Sequence, residues 1–108
     1  MPFANKGALM LDLDGRIVFA STYFCDLIGV KHDRIAGMSF FDFVSPEEME
    51  KAKKKMETCK FVVPPPYFLK LRTSTGAPVW TATQCSPMQT ASGEIYAISA
   101  TITAAQQP

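Results

Sequence analysis

The spacing of apolar residues changes along this chain, and each change marks an element. Residues 8–13 and 16–20 are two short apolar runs with Asp14-Gly15 between them. Asp-Gly tolerates the positive φ of a two-residue hairpin turn, so the chain is predicted to open with a β-hairpin. From residue 22 to 29 the period lengthens. Phe24, Leu27 and Ile28 recur at helical spacing, and Gly29 stands where a helix C-terminus is capped. Residues 31–36 read as a further short turn of helix closed by Gly37, and an aromatic knot follows at Phe40, Phe41 and Phe43. Ser45-Pro46-Glu47-Glu48 then starts a longer helix. Serine is a good N-cap, proline at the first helical position loses no needed bond, and Glu48 completes a capping box. This helix is predicted to run to Lys60, with Met49, Ala52, Met56 and Cys59 buried and its lysines in water. Pro64-Pro65-Pro66 stops it and delivers extended chain.

The last third reads as three strands, 67–74, 79–88 and 95–103, broken by Thr75-Gly76 and by Ala91-Ser92-Gly93. One alternating face carries Leu69, Leu71, Thr81, Thr83 and Cys85, then Ile98, Ala100 and Ile102, with no charge. Such a face is either plain core or the wall of a ligand pocket. The opposite face carries Phe68, Trp80, Ala82 and Ala97 among Lys70, Arg72 and Gln84. A mixed face with aromatics suits contact with another surface, or cover by a terminal segment of the same chain. Two strands, inserted helices and three strands make an α+β plan. The economical arrangement is one five-stranded antiparallel sheet with short helices and one longer helix on one face. The opening hairpin then pairs with an edge of the closing meander.

Composition narrows the function. A chain of 108 residues suits a single domain, 1–108. Its start and its polar end read as cut points in a longer protein. A net charge of +1 gives no global field for nucleic acid or an anionic membrane, so neither is expected as a partner. Lys53-Lys54-Lys55 reads as a solvated helix face. Cys25, Cys59 and Cys85 are an odd count without zinc spacing, and free thiols fit a reducing cytoplasm. No apolar run approaches a membrane span, and the N-terminus lacks a signal-peptide core.

Catalytic chemistry finds little purchase. His32 is the single histidine and sits in a polar loop beside Lys31 and Asp33. Cys25 and Cys85 fall in helical and strand patterns and read as small apolar packing residues. Cys59 closes the helix stripe beside Lys60, whose charge could lower its pKa, although packing is the favoured reading. Asp12 and Asp14 are turn residues before they are a carboxylate pair. There is no glycine-rich phosphate loop.

From residue 8 to 103 the chain resembles a PAS sensor domain. LDLDGRIVFAS looks like that family's opening hairpin. TYFCDLIGVKHDRIAGMSFFDFVSPEEME looks like its helical half, STGAPVW like the turn and tryptophan of its penultimate strand, and PMQTASGEIYAISATIT like its closing hairpin. The order and spacing of these pieces carry the resemblance, rather than any one of them. Many members close with Asp-Ile-Thr, which helps couple the sheet to an output helix. Thr101-Ile102-Thr103 stands there instead.

The resemblance bears on cofactors. Flavin-binding light sensors of the family carry a reactive cysteine in a segment that here reads Ser39-Phe40-Phe41-Asp42-Phe43-Val44, with Phe40 at the thiol position. Their ring-edge amides fall on Leu71, Thr81 and Ile102, none of which is an amide. Haem-binding members commonly supply a histidine from the long helix, and residues 45–60 contain none. Haem would need Cys59 or a methionine. Neither group is supported, and no cofactor is the expectation. A pocket lined by Phe24, Leu27, Phe40, Phe43, Met49 and Met56 together with the uncharged strand face would hold a small, apolar or weakly polar ligand, unless those side chains fill it.

The resemblance implies a non-enzymatic sensory and interaction module that relays a conformational change to an output domain such as a histidine kinase, a cyclase or a transcription regulator. A homodimer or flanking-helix contact through the outer sheet face is implied with it. Three rivals stand beside this reading: a haem- or flavin-bound redox or gas sensor of the same fold, a ligand-free structural dimerisation domain, and a small thiol enzyme using Cys59 or Cys25 with His32.

Overall fold

The computed structural model describes residues 6–106. Strands β1 (Gly7–Leu11) and β2 (Ile17–Ala20) lead into helix α1 (Thr22–Ile28). Two 3₁₀ turns, Phe40–Phe43 and Pro46–Glu48, precede helix α2 (Met49–Cys59). Strands β3 (Tyr67–Arg72), β4 (Pro78–Gln89) and β5 (Ile95–Ala104) complete the chain. The five strands form one antiparallel sheet in the order β2-β1-β5-β4-β3. The opening hairpin therefore adds to the meander along β5, as the strand pattern predicts. α1, the aromatic 3₁₀ turn and α2 bury Phe24, Ile28, Phe40, Phe43, Ala52 and Cys59 against the inner face of the sheet in one core cluster.

The predicted elements differ from the observed ones where local chemistry took another route. The opening turn is longer than two residues, because no residue other than glycine takes a positive φ and Asp14 therefore cannot enter a two-residue turn of that hand. Asp12 organises it instead: its Oδ1 accepts from the Asp14 and Arg16 amides, each at 2.9 Å. Gly15, at φ 88°, is needed for close approach as well as conformation. A Cβ there would lie 2.5 Å from Phe41 Cε2, and its carbonyl accepts from the Phe40 amide at 2.9 Å. The hairpin turn is thus the seat of the aromatic segment.

Residues 31–36 form no helix. They make hydrogen-bonded turns, with the Arg34 amide on the Lys31 carbonyl and the Met38 amide on the Ile35 carbonyl. The capping box at Ser45 does not form either. Ser45 makes no side-chain cap, and α2 is entered through the Pro46–Glu48 3₁₀ turn. Glu48 Oε1 instead accepts the Lys70 backbone amide of β3 at 3.0 Å, while the Ser45 amide donates to the Lys70 carbonyl at 3.1 Å. Both exposed polar groups of Lys70 on the sheet edge are satisfied in this way, which closes part of that edge to strand pairing.

Candidate functional site: the two faces of the sheet

Strand alternation fixes the inner wall. Leu69 and Leu71 on β3, Thr81, Thr83 and Cys85 on β4, and Ile98, Ala100 and Ile102 on β5 are all buried. Antiparallel pairing sets Leu69 against Thr81, Thr83 against Ile102 and Cys85 against Ala100. The two threonine hydroxyls are already engaged. Thr81 Oγ1 donates to the Leu69 carbonyl at 2.8 Å and lies 3.0 Å from Thr83 Oγ1. Among the described residues no buried side-chain nitrogen or oxygen lacks a partner.

The wall is mostly solid core, with a small cavity at one end. Phe40, Met56, Thr83, Cys85, Ile98 and Ala100 line it, joined by Leu11, Phe41, Ala52 and Tyr67. Its volume is about 20 Å³. That is room for a water-sized molecule, whereas pockets for drug-sized ligands run to roughly 300–1,000 Å³. Phe24, Phe43, Leu69, Leu71, Thr81 and Ile102 are buried away from the cavity, and Leu27 and Met49 pack half-buried against the core. The Phe24 and Phe40 rings, 6.4 Å apart, fill part of the volume that a pocket would need. Four lining residues escaped the sequence reading. Tyr67 and Leu11 share the inward parity of their strands, so extending each alternation to the strand's end would have found them. Ala52 and Phe41 were assigned to packing.

One end of the cavity is polar. The Tyr67 hydroxyl donates to Cys85 Sγ at 3.9 Å. Burial first, and then the influence of Cys85, push the Cys59 thiol from 9.0 up to about 12. Burial and then Cys85 push the Tyr67 phenol upward as well. These shifts run against the activation that a neighbouring lysine would give, and Lys60 Nζ pairs instead with Glu57 at 2.7 Å. His32 lies in an exposed turn, and among the described residues no hydrogen bond joins it to a thiol. The described residues also hold no group of three or more His, Cys, Asp or Glu placed to bind a metal.

The outer face is mixed. Phe68 is 45% exposed, and Trp80 and Ala82 are half-buried beside it. Lys70 Nζ stands 5.8 Å from the Trp80 ring centroid and pairs with Glu47. Phe19, opposite Met10, extends this face onto β2 and is half exposed. Ala97 corrects an expectation: it is only 2% exposed and offers nothing to a partner. It pairs with Met88 beside the irregularity between Met88 and Gln89. A second apolar feature escaped the sequence reading. Phe61, Val62 and Val63 are exposed after α2, where the proline run prevents the helix from folding them inward.

Three comparisons bear on this arrangement. A family model described as PAS domain matches residues 5–103. Among solved structures, the chain is similar to the PAS domain of a protein from Colwellia psychrerythraea, with a TM-score of 0.85 and 13% identity, covering 93% of this chain and 86% of that one. It is also similar to a light-oxygen-voltage domain studied with a flavin analogue, with a TM-score of 0.79 and 17% identity over 98% of this chain and 82% of that one. At these identities the structural matches speak for the fold. No curated protein matches the chain.

Proposed function

This chain belongs to the PAS domain family, and from that premise we propose that it is a sensory and protein-interaction module without catalytic activity of its own. PAS domains are generally sensory modules. In this reading, a small apolar or weakly polar ligand, or a partner, changes the packing of α2 on the inner wall. The sheet passes the change to its outer face, and from there to an output domain such as a histidine kinase, a cyclase or a transcription regulator in a cytoplasmic parent protein. The observation that carries it is the contrast between the two faces. The inner wall is uncharged and closed, while Phe68, Trp80 and Ala82 are left partly open on the other side. The contact proposed there is a second copy of the chain or a flanking helix. Among the described residues no helix is long and apolar enough to cross a membrane.

The cavity of about 20 Å³ favours a second reading, a structural dimerisation domain that takes no ligand. Neither reading uses haem or flavin. Phe40 at the reactive-thiol position, the absence of amides at Leu71, Thr81 and Ile102, and a cavity far smaller than either group support that choice. One sample separates the readings. Freshly purified protein, examined by absorption spectroscopy and native mass spectrometry, should be colourless, with a retained small molecule in the sensory reading and none in the structural one. A visible absorption band would overturn both. Trp80→Ala combined with Phe68→Ala should lower the dimer population in sedimentation.

A further inference from the structure

The cavity against the inner wall has few ways out. Eight of its ten lining residues are buried, and Phe41 and Tyr67 are the two that reach solvent. Tyr67 is pinned: its hydroxyl donates inward to Cys85 Sγ, and Lys55 Nζ stands 5.1 Å from its ring centroid. Phe41 borders open space. A surface groove of about 380 Å³ lies between the opening hairpin and α2, and Phe41 and Met56 line both this groove and the cavity. Leu13 extends the apolar side of the groove, and Lys53 stands on its rim. The two spaces therefore share a wall of two side chains, an aromatic ring and an unbranched thioether with three rotatable bonds.

The Phe41 backbone is fixed while its ring is held only by contacts. Its amide donates to Ser39 Oγ at 3.2 Å, and its carbonyl accepts from the Val44 amide at 3.2 Å. The ring packs edge-on to Phe40, with centroids 6.2 Å apart, and lies against Gly15, which has no side chain to block it. Lys53 Nζ stands 5.8 Å from the ring centroid on the groove side.

We propose that Phe41 is the gate of the cavity: its ring turns outward into the groove, Met56 yields beside it, and a small uncharged molecule passes from the groove to the inner wall. With the ring turned, groove and cavity join into one pocket within the roughly 300–1,000 Å³ range of small-ligand sites. The occupant is uncharged because the inner wall carries no charge, and its threonine hydroxyls are already engaged. Lys53 is the latch, since an ammonium over the face of the closed ring favours that position. Use of this route by a signal rests on the sensory reading, whereas the opening itself does not.

The test reads access at Cys85, which lines the cavity, with Cys25 and Cys59 off the cavity as internal controls. Folded wild-type and variant chains are treated with methyl methanethiolsulfonate, a small uncharged thiol reagent, at one fixed pH. The reaction is quenched in acid and mapped by mass spectrometry over time. Phe41→Ala should speed modification of Cys85 by about tenfold and leave Cys25 and Cys59 at their wild-type rates. Lys53 is exposed, so Lys53→Ala keeps the fold even if the first variant is poorly folded. It should speed Cys85 about two- to fivefold, the worth of one exposed cation–π contact. Lys54→Ala, at the exposed neighbouring position, should not. A Cys85 rate unmoved in both Phe41→Ala and Lys53→Ala, or acceleration of all three thiols together in Lys53→Ala, would overturn the proposal. The reagent is not a ligand, so a chain that retains no small molecule can still pass this test, and failure here leaves the sensory reading to its own.

Discussion

Thr81 shows how one buried hydroxyl can bind two strands. Its Oγ1 donates to the Leu69 carbonyl at 2.8 Å with no exposure to water. Thr81→Val keeps the shape and deletes the donor, leaving polar atoms of Leu69 and Thr83 short of a partner. It should cost about 1–3 kcal/mol in urea unfolding without disturbing the strand pairing. Gly15→Ala acts through backbone and sterics together, since φ is 88° and the new Cβ would meet the Phe41 ring. A loss of roughly 1–3 kcal/mol is predicted. Cys59 sets a pH dependence. Its folded pKa is raised from 9.0 to about 12, so the thiol is held neutral by the fold. The stability it contributes is complete below pH 9.0 and is lost as pH climbs toward 12. The Tyr67 phenol, also raised, adds to the same alkaline loss. Urea midpoints followed from neutral to alkaline pH should fall in that window, and Cys59→Ser should flatten the fall in part. An unchanged slope in the variant would remove Cys59 from the account.

At the scale of elements, α2 is held to β3 by its entrance as well as by its apolar stripe. Glu48 accepts the Lys70 amide while its neighbour Glu47 pairs with the Lys70 side chain. Glu48→Ala should therefore cost about 1–2 kcal/mol and speed hydrogen exchange at the Lys70 amide, whereas loss of an ordinary helix cap would leave that amide protected. The sequence made the existence and type of the main elements legible, because periods of two and of three to four residues are written in which side chains are apolar. Partners at long range were not legible. Ser45-Pro46-Glu47-Glu48 has the form of a capping box, yet Glu48 is drawn to an unpaired strand amide that local pattern cannot show. Asp14-Gly15 misled for a local reason instead: Asp12, two residues earlier, supplied a competing side-chain bond at 2.9 Å. The inner wall was readable from alternation alone, but its filling was not. Whether Phe24 and Phe40 occupy the space between helices and sheet depends on where the loops set them, and Ala97 is buried beside an irregularity in pairing that composition does not reveal.

Over the whole molecule the sheet is a partition. Helices and aromatic turns close one side of it around a core with a cavity of about 20 Å³, and the other side keeps Phe19, Phe68 and Trp80 partly open. The relay proposed for the domain requires these sides to be coupled through β4, which carries Thr83 and Cys85 on the inner face and Trp80, Ala82 and Gln84 on the outer one. Ala52 is a useful lever, because it lines the cavity from α2 and makes no part of the sheet. Ala52→Val fills the cavity and shifts the helix against the wall. A nuclear magnetic resonance comparison with the wild-type chain tests the relay most directly, since the single tryptophan gives one indole signal. The account predicts that the Trp80 indole and the signals of Ala82 and Gln84 move together with those of the inner wall. Shifts confined to α2 and the cavity lining, with the Trp80 indole unchanged, would contradict it.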